Sequence, residues 1–147
     1  MPEVDLEREV RAPVDQLWAA VIDVERYPDS MENVRSVQIV GEDSPERRRI
    51  AWAVTLKGSV LEWEEDERID HQAHTVEFRQ LSGDMEWLEG AWRLVATGPD
   101  TTRVSLKVSF EIGIPMLAEM LNPVAERSFH ENCAEMLRGV EREALAA

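Results

Sequence analysis

Cysteine is nearly missing from this chain. Cys133 stands alone among 147 residues, so no internal disulfide can form. Basic residues are scarce as well, 16 lysines and arginines against 30 aspartates and glutamates, which leaves a formal net charge of −14. Such a field repels nucleic acid phosphates and anionic lipid headgroups, so direct RNA, DNA or bilayer binding is disfavoured. Long apolar runs are absent too. None approaches the roughly 20 residues needed to cross a bilayer, so a lipophilic partner has to be carried inside the fold, with no direct membrane insertion. Met1 to Arg11 alternate charged and apolar side chains where a secretory leader would have a basic stretch and then an apolar one. Together with the single cysteine this predicts a cytoplasmic protein.

What is there suits one domain spanning residues 1–147, large enough for a core and a cavity. Val4, Leu6 and Val10 fall on one side of an opening strand, with charges on the other. Ala12-Pro13 starts a helical stretch in which Leu17, Trp18, Val21 and Ile22 recur at helical spacing until Tyr27-Pro28-Asp29 breaks it, room for one or two short helices. From Val34 to Gly113 six strands fit between breaks at Gly41 to Pro45, Lys57-Gly58, Asp70 to Ala73, Ser82-Gly83-Asp84 and Thr97 to Asp100. The last is the clearest: Val104, Leu106, Val108, Phe110 and Ile112 alternate with Arg103, Ser105, Lys107, Ser109 and Glu111. Ile50, Trp52, Val54 and Leu56, and then Leu88, Gly90, Trp92 and Leu94, give two more dry faces. A sheet dry on one side needs a cover. Ile114 to Ala147 supplies it as a long helix with Leu117, Leu121, Val124, Phe129, Cys133, Met136, Leu137 and Val140 on an apolar arc, bent near Pro123.

Several short motifs recur in this order in a known superfamily: Ala12-Pro13, Leu17-Trp18, Asp23 and Tyr27-Pro28, then Leu88-Glu89-Gly90-Ala91-Trp92, then Ile114-Pro115. On these residues the chain resembles the START-like SRPBCC superfamily, in its branch of polyketide cyclase/dehydrase and coenzyme Q-binding Coq10-like proteins. The resemblance implies an α+β helix-grip fold of the Bet v1 kind. A seven-stranded curved antiparallel sheet would wrap a long C-terminal helix, with two short helices after the first strand and a deep cavity between sheet and helix.

The most informative stretch for chemistry runs from Leu61 to Ile69. Alternation puts Leu61, Trp63, Glu65, Glu67 and Ile69 on one face, so two carboxylates share the apolar side. A buried carboxylate has to be paired or protonated, so Glu65 and Glu67 should meet a base or hold raised pKa values, and a raised glutamate can serve as acid or base. The competing reading, which ordinary strand ends favour, makes both a solvated acidic edge. In aromatase/cyclases of the superfamily the comparable strand resembles Trp-x-Ser-x-Arg. Trp63 matches, but Glu65 stands for the serine and Glu67 for the arginine, so the cation that would stabilise an enolate is missing from that strand. Arg8, on the dry face by alternation, and Arg79 are the candidate replacements.

Ser128 and Asn132 lie one helical turn apart on or beside the apolar arc and suit a ligand carbonyl or hydroxyl; alternatively, Ser128 bonds back within its helix and Asn132 satisfies a strand end. Tyr27, Trp52, Trp63, Trp92 and Phe110 are aromatic surfaces for a ring system, or plain core. His71, His74 and His130 lack the spacing of a metal site, no cofactor motif is present, and Cys133 reads as a small buried hydrophobe.

The leading expectation is a carrier or binding module for a lipid, polyprenyl quinone or aromatic polyketide. The alternative is a cyclase or dehydratase using Glu65 or Glu67 as acid/base. A ribosome-binding role, which some relatives suggest, would have to rest on Arg47-Arg48-Arg49 as a basic patch. A homodimer is an assembly open to the chain.

Overall fold

The computed structural model describes residues 3–56, 59–112 and 115–146, with the side chains at 56, 59, 112 and 115–125 outside that description. The expected turn at Lys57-Gly58, the arc positions Leu117, Leu121 and Val124 and the bend near Pro123 fall outside the described residues or side chains. Strand β1 (Glu3–Val10) leads to helix α1 (Val14–Ile22), a single 3-10 turn at Val24–Arg26 and the short helix α2 (Tyr27–Ser30). Six strands follow: β2 (Val34–Ser44), β3 (Arg47–Leu56), β4 (Ser59–Asp70), β5 (Thr75–Gly83), β6 (Met85–Gly98) and β7 (Thr101–Ile112). Helix α3 (Pro115–Ala146) follows β7.

Among the described residues the strands form one antiparallel sheet in the order β1-β7-β6-β5-β4-β3-β2. Every neighbouring pair is a sequential hairpin except β1 with β7, whose register runs from Glu3↔Ser109 to Val10↔Thr102. Alternation decides the faces. Val104, Leu106, Val108 and Phe110 are buried on one side of β7, as are Ile50, Trp52 and Val54 on β3 and Leu88, Trp92 and Leu94 on β6. Helix α3 covers this side with Phe129, Cys133, Leu137, Val140 and Ala144, spaced three and four apart. Polar contacts fix its position: Asn132 Nδ2 donates to Thr55 O at 3.2 Å, Arg8 pairs with Glu141 at 2.9 Å, and Gln16 Nε2 donates to Ala144 O. The helix-grip architecture expected from the sequence is therefore the observed one.

Three breaks are shorter than the turn residues suggest, the last because Thr97 and Gly98 stay in β6 with a register shift between Ala96 and Gly98. Gly41 to Ser44 stay in β2, because register shifts between Ile39 and Gly41 and between Glu42 and Ser44 absorb the extra residues as bulges. Ser82 and Gly83 stay in β5, paired to Glu64 and Trp63 of β4, whereas the β5–β6 pairing ends at Arg79↔Glu89. Strands β5 and β6 therefore splay beyond that point, with Gln80 Nε2 donating to Met85 O at 2.7 Å across the gap. Gly83 has φ +147, and a Cβ there would lie 2.4 Å from Trp63 Cβ, so this position requires glycine.

Gly90 makes room for Phe78 of the neighbouring strand: an added Cβ would meet Phe78 Cζ at 2.6 Å and Lys107 O at 2.2 Å. The carbonyl is backbone and cannot swing aside. Gly90→Ala is expected to cost about 1–3 kcal/mol through overpacking, read as a lower urea midpoint with an unchanged slope.

Candidate functional site

The polar site sits on the covered face of the sheet, where β3 and β4 run side by side. Their register sets Arg48 opposite Glu67, Ile50 opposite Glu65 and Trp52 opposite Trp63. Alternation then carries Arg48, Trp52, Trp63, Glu65 and Glu67 to the same side. Glu65 and Glu67 are 2% and 3% exposed and Arg48 6%, so the solvated-edge reading is overturned: the sheet's inner surface continues past Trp63, and α2 closes it with Tyr27.

Each carboxyl is accommodated in its own way. Arg48 Nε donates to Glu67 Oε1 at 2.7 Å, an ion pair with both members buried, which compensates the Glu67 charge. Among the described residues no guanidinium pairs with Glu65. Burial first, then the Glu67 charge and a hydrogen bond between the two carboxyls, push Glu65 well above the usual carboxylate range. Of the two carboxyls, Glu65 is thus the one whose surroundings favour the protonated form. Trp63 Nε1 donates to Glu65 Oε1 at 2.9 Å and orients it. The indoles of Trp52 and Trp63 stack, with centroids 6.0 Å apart and planes 14° from parallel. Tyr27 backs this group 5.7 Å from Trp52, its hydroxyl committed to Val21 O at 2.6 Å. Burial first and the Glu67 charge second push its phenol well above its ordinary range, so it stays a neutral donor.

A cavity of about 60 Å³ opens beside Glu65, walled by Trp52, Trp63, Trp92, Phe129, Asn132 and Cys133 with other apolar side chains. Its volume in this state accommodates little more than water, so a larger ligand has to displace wall residues. Met136, in the same wall, is the most adaptable of them.

Of the aromatic surfaces expected to meet a ligand, Trp52, Trp63 and Trp92 line this cavity. Phe110 and Tyr27 do not. Phe110 is fully buried against Phe129, ring centroids 4.3 Å apart, and Tyr27 stands behind Trp52 and Trp92. Asn132 reaches the wall while its amide satisfies the strand carbonyl of Thr55. Ser128 is buried outside the lining, and its Oγ makes no hydrogen bond among the described residues, so it does not bond back into its helix.

The replacement cation is neither Arg8 nor Arg79. Arg8 is drawn to Glu141 at the rim, and Arg79 is exposed on the outer face. The buried cation of this face is Arg48 instead, bound to Glu67 and outside the cavity lining. Alternation back from Ile50 and Trp52 would have found it, but it stands in a run of three arginines that reads first as surface. The same geometry removes that run as a basic patch, since Arg48 points inward and Arg47 is bound to Asp66 at 3.3 Å.

Away from the cavity, Trp18 Nε1 donates to His71 Nδ1 at 3.2 Å, and His71 Nε2 lies 2.9 Å from Pro45 O. The ring therefore bridges α1 and the β2–β3 turn. Among the described residues no metal-ligating group gathers. Cys133, in the cavity wall, has its thiol pushed up to about 12 by burial. Ellman's reagent should leave it unlabelled in the native protein and react fully once urea unfolds the chain; fast native labelling would show a wall that opens readily.

A family model described as polyketide cyclase / dehydrase and lipid transport matches residues 10–137. A Streptomyces cyaneus protein named as a candidate polyketide cyclase is 27% identical over 100 residues, 65% of this chain and 63% of that protein's length. The chain thus matches less than two thirds of that relative. Among solved structures, TTHA0849 from Thermus thermophilus superposes with a TM-score of 0.92 at 29% identity, over 99% of this chain and 98% of the other. The ZhuI aromatase/cyclase from Streptomyces sp. R1128 superposes with a TM-score of 0.82 at 23% identity, over 97% and 93%.

Proposed function

The chain belongs to the polyketide cyclase/dehydrase and lipid transport family, and on that premise we propose that it closes and dehydrates a ring in a poly-β-keto chain, with Glu65 as the acid and base. The observation that carries this reading is a buried carboxyl in the wall of an apolar cavity, its pKa raised by burial, held by an indole N–H and set beside a second carboxyl that is paired with Arg48. A carrier needs only apolar walls. A carboxyl in the wall with a second buried carboxyl beside it would lower stability and contribute nothing to apolar contact with a lipophile.

The proton balance suits a single carboxyl. In ring closure a proton leaves the carbon between two carbonyls, that carbon bonds to a distant carbonyl carbon, and the carbonyl oxygen gains a proton. Glu65 gives its proton to that oxygen, and its carboxylate is restored by the proton from carbon. In dehydration Glu65 protonates the departing hydroxyl, which leaves as water, and the adjacent carbon returns a proton to the carboxylate as the double bond forms. Glu65 ends each step as it began. A pKa raised by burial favours the acid form and makes the carboxylate a stronger base once the proton is given.

The test is incubation with a synthetic poly-β-keto thioester, following ring formation by ultraviolet absorbance and loss of water by mass. Products from the wild type and none from Glu65→Gln support the proposal. A wild type that binds an aromatic or isoprenoid compound yet makes no product transfers the function to carriage.

A further inference from the structure

Trp52 carries a donor that no hydrogen bond of ordinary geometry engages among the described residues. Its side chain is 6% exposed and forms part of the cavity wall, and Nε1 is buried without a hydrogen bond among the described residues. Buried N–H groups in folded proteins are almost always paired, so one left open against a cavity calls for an occupant. The comparison with its stacked neighbour is direct. Trp63 commits its N–H to Glu65 Oε1, whereas the Trp52 N–H lies close enough to the Glu65 carboxyl to favour its charged form without forming a bond of ordinary geometry. Two donors, one of them uncommitted, thus stand at the polar end of an otherwise apolar pocket.

We propose that Trp52 Nε1–H donates to the ligand oxygen that Glu65 protonates, so that the cavity selects an uncharged ketone, quinone or phenol oxygen and rejects a carboxylate. This rests on the assignment of Glu65 as proton donor. Charge supplies the selectivity. The buried site already holds the Glu67 carboxylate against a single guanidinium, and a ligand anion would add a second negative charge with nothing to compensate it. An uncharged oxygen needs only donors, and these are present. Trp52 is a positioning residue here: it fixes which oxygen Glu65 meets, and its hydrogen bond strengthens as that oxygen gains electron density.

The test compares 2-acetylnaphthalene, 2-methylnaphthalene and 2-naphthoate as ligands for the wild type and Trp52→Phe, by calorimetric titration. The wild type should bind the ketone about fivefold tighter than the hydrocarbon, the range one net hydrogen bond gives. Trp52→Phe should lose that preference while its hydrocarbon affinity holds, and naphthoate should bind most weakly to both. An equal preference in the variant, naphthoate as the best ligand, or no binding by any of the three overturns the proposal. A second reading uses no variant: the infrared carbonyl stretch of 13C-labelled 2-acetylnaphthalene bound to the wild type should move below its frequency in hexane, and an unmoved band also overturns it. Failure here is separable from failure of the catalytic reading. Turnover lost in Glu65→Gln with an unmoved carbonyl band sinks only the Trp52 contact; a ketone preference lost in Trp52→Phe with no turnover in the wild type sinks only the catalysis.

Discussion

Glu65→Gln is expected to lower ring-forming turnover by about 10²- to 10⁴-fold, the usual contribution of a positioned acid or base, while ligand affinity stays within about tenfold. The amide keeps the shape of the protonated carboxyl. Its oxygen can accept from Trp63 Nε1 and its NH₂ can donate to Glu67, so the fold has no reason to change. The same substitution should alter how stability depends on pH. Glu65 is raised above its ordinary value near 4.5, so between that value and its folded pKa the native state holds a proton that the unfolded chain has released. The stability associated with this proton is complete below pH 4.5 and is lost as pH rises through the folded pKa, by about 1.4 kcal/mol per pH unit for one proton. Glutamine removes that slope. Urea midpoints should therefore coincide near pH 4 and diverge toward pH 8, with the variant the more stable. A variant that loses turnover and instead becomes less stable as pH rises would place the titrating group elsewhere.

Arg48→Met is expected to be the most damaging single change at the site. It removes the guanidinium from a pair in which both partners are buried and leaves the Glu67 charge without compensation beside a second carboxyl. Breaking such a pair from one side costs about 3–5 kcal/mol, a large share of the roughly 5–15 kcal/mol that holds an ordinary domain together. The penalty belongs to the orphaned charge rather than to lost attraction. Glu67→Gln in the Arg48→Met background should therefore restore most of the stability, giving a strongly favourable coupling in a double-mutant cycle by urea unfolding. Additive effects of the two substitutions would mean that Glu67 reaches water in the native state.

The sequence announces some of this arrangement and conceals the rest for physical reasons. Strand β7 is legible because one of its faces is wet and the other dry; the period of two from Leu61 to Ile69 puts Glu65 and Glu67 on the apolar side, but their burial is not legible, since the same alternation fits a strand end that projects into water. Arg48 is not legible as their partner, since that pairing depends on the β3–β4 hairpin register and on nothing within either strand. The extent of β2 is hidden in the same way: Gly41 to Ser44 look like turn residues, and only bulges opposite Arg47 to Arg49 keep them paired. Aromatic residues identify a dry face but not which of them borders free space. Phe110 and Trp92 have equivalent patterns, yet Phe129 packs onto the first and leaves the second at the wall.

The pairing of β1 with β7 has a consequence for how the molecule is made. Each of the other strands finds its partner in the next stretch of chain to be synthesised, so a six-stranded meander can assemble from the β2–β3 hairpin onward. Strand β1 has no such neighbour. Its apolar side and its backbone donors wait until Thr101–Ile112 has emerged, and Arg8 waits longer still for Glu141. Closing a loop of that length is an entropic cost met before any contact rewards it, which slows folding and leaves an unpaired edge open to other chains. The acids at Glu3, Asp5, Glu7 and Glu9, all on the outer side of β1, keep that edge charged throughout the interval. Strand β1, translated before every other strand of this sheet, is among the last of them to be secured.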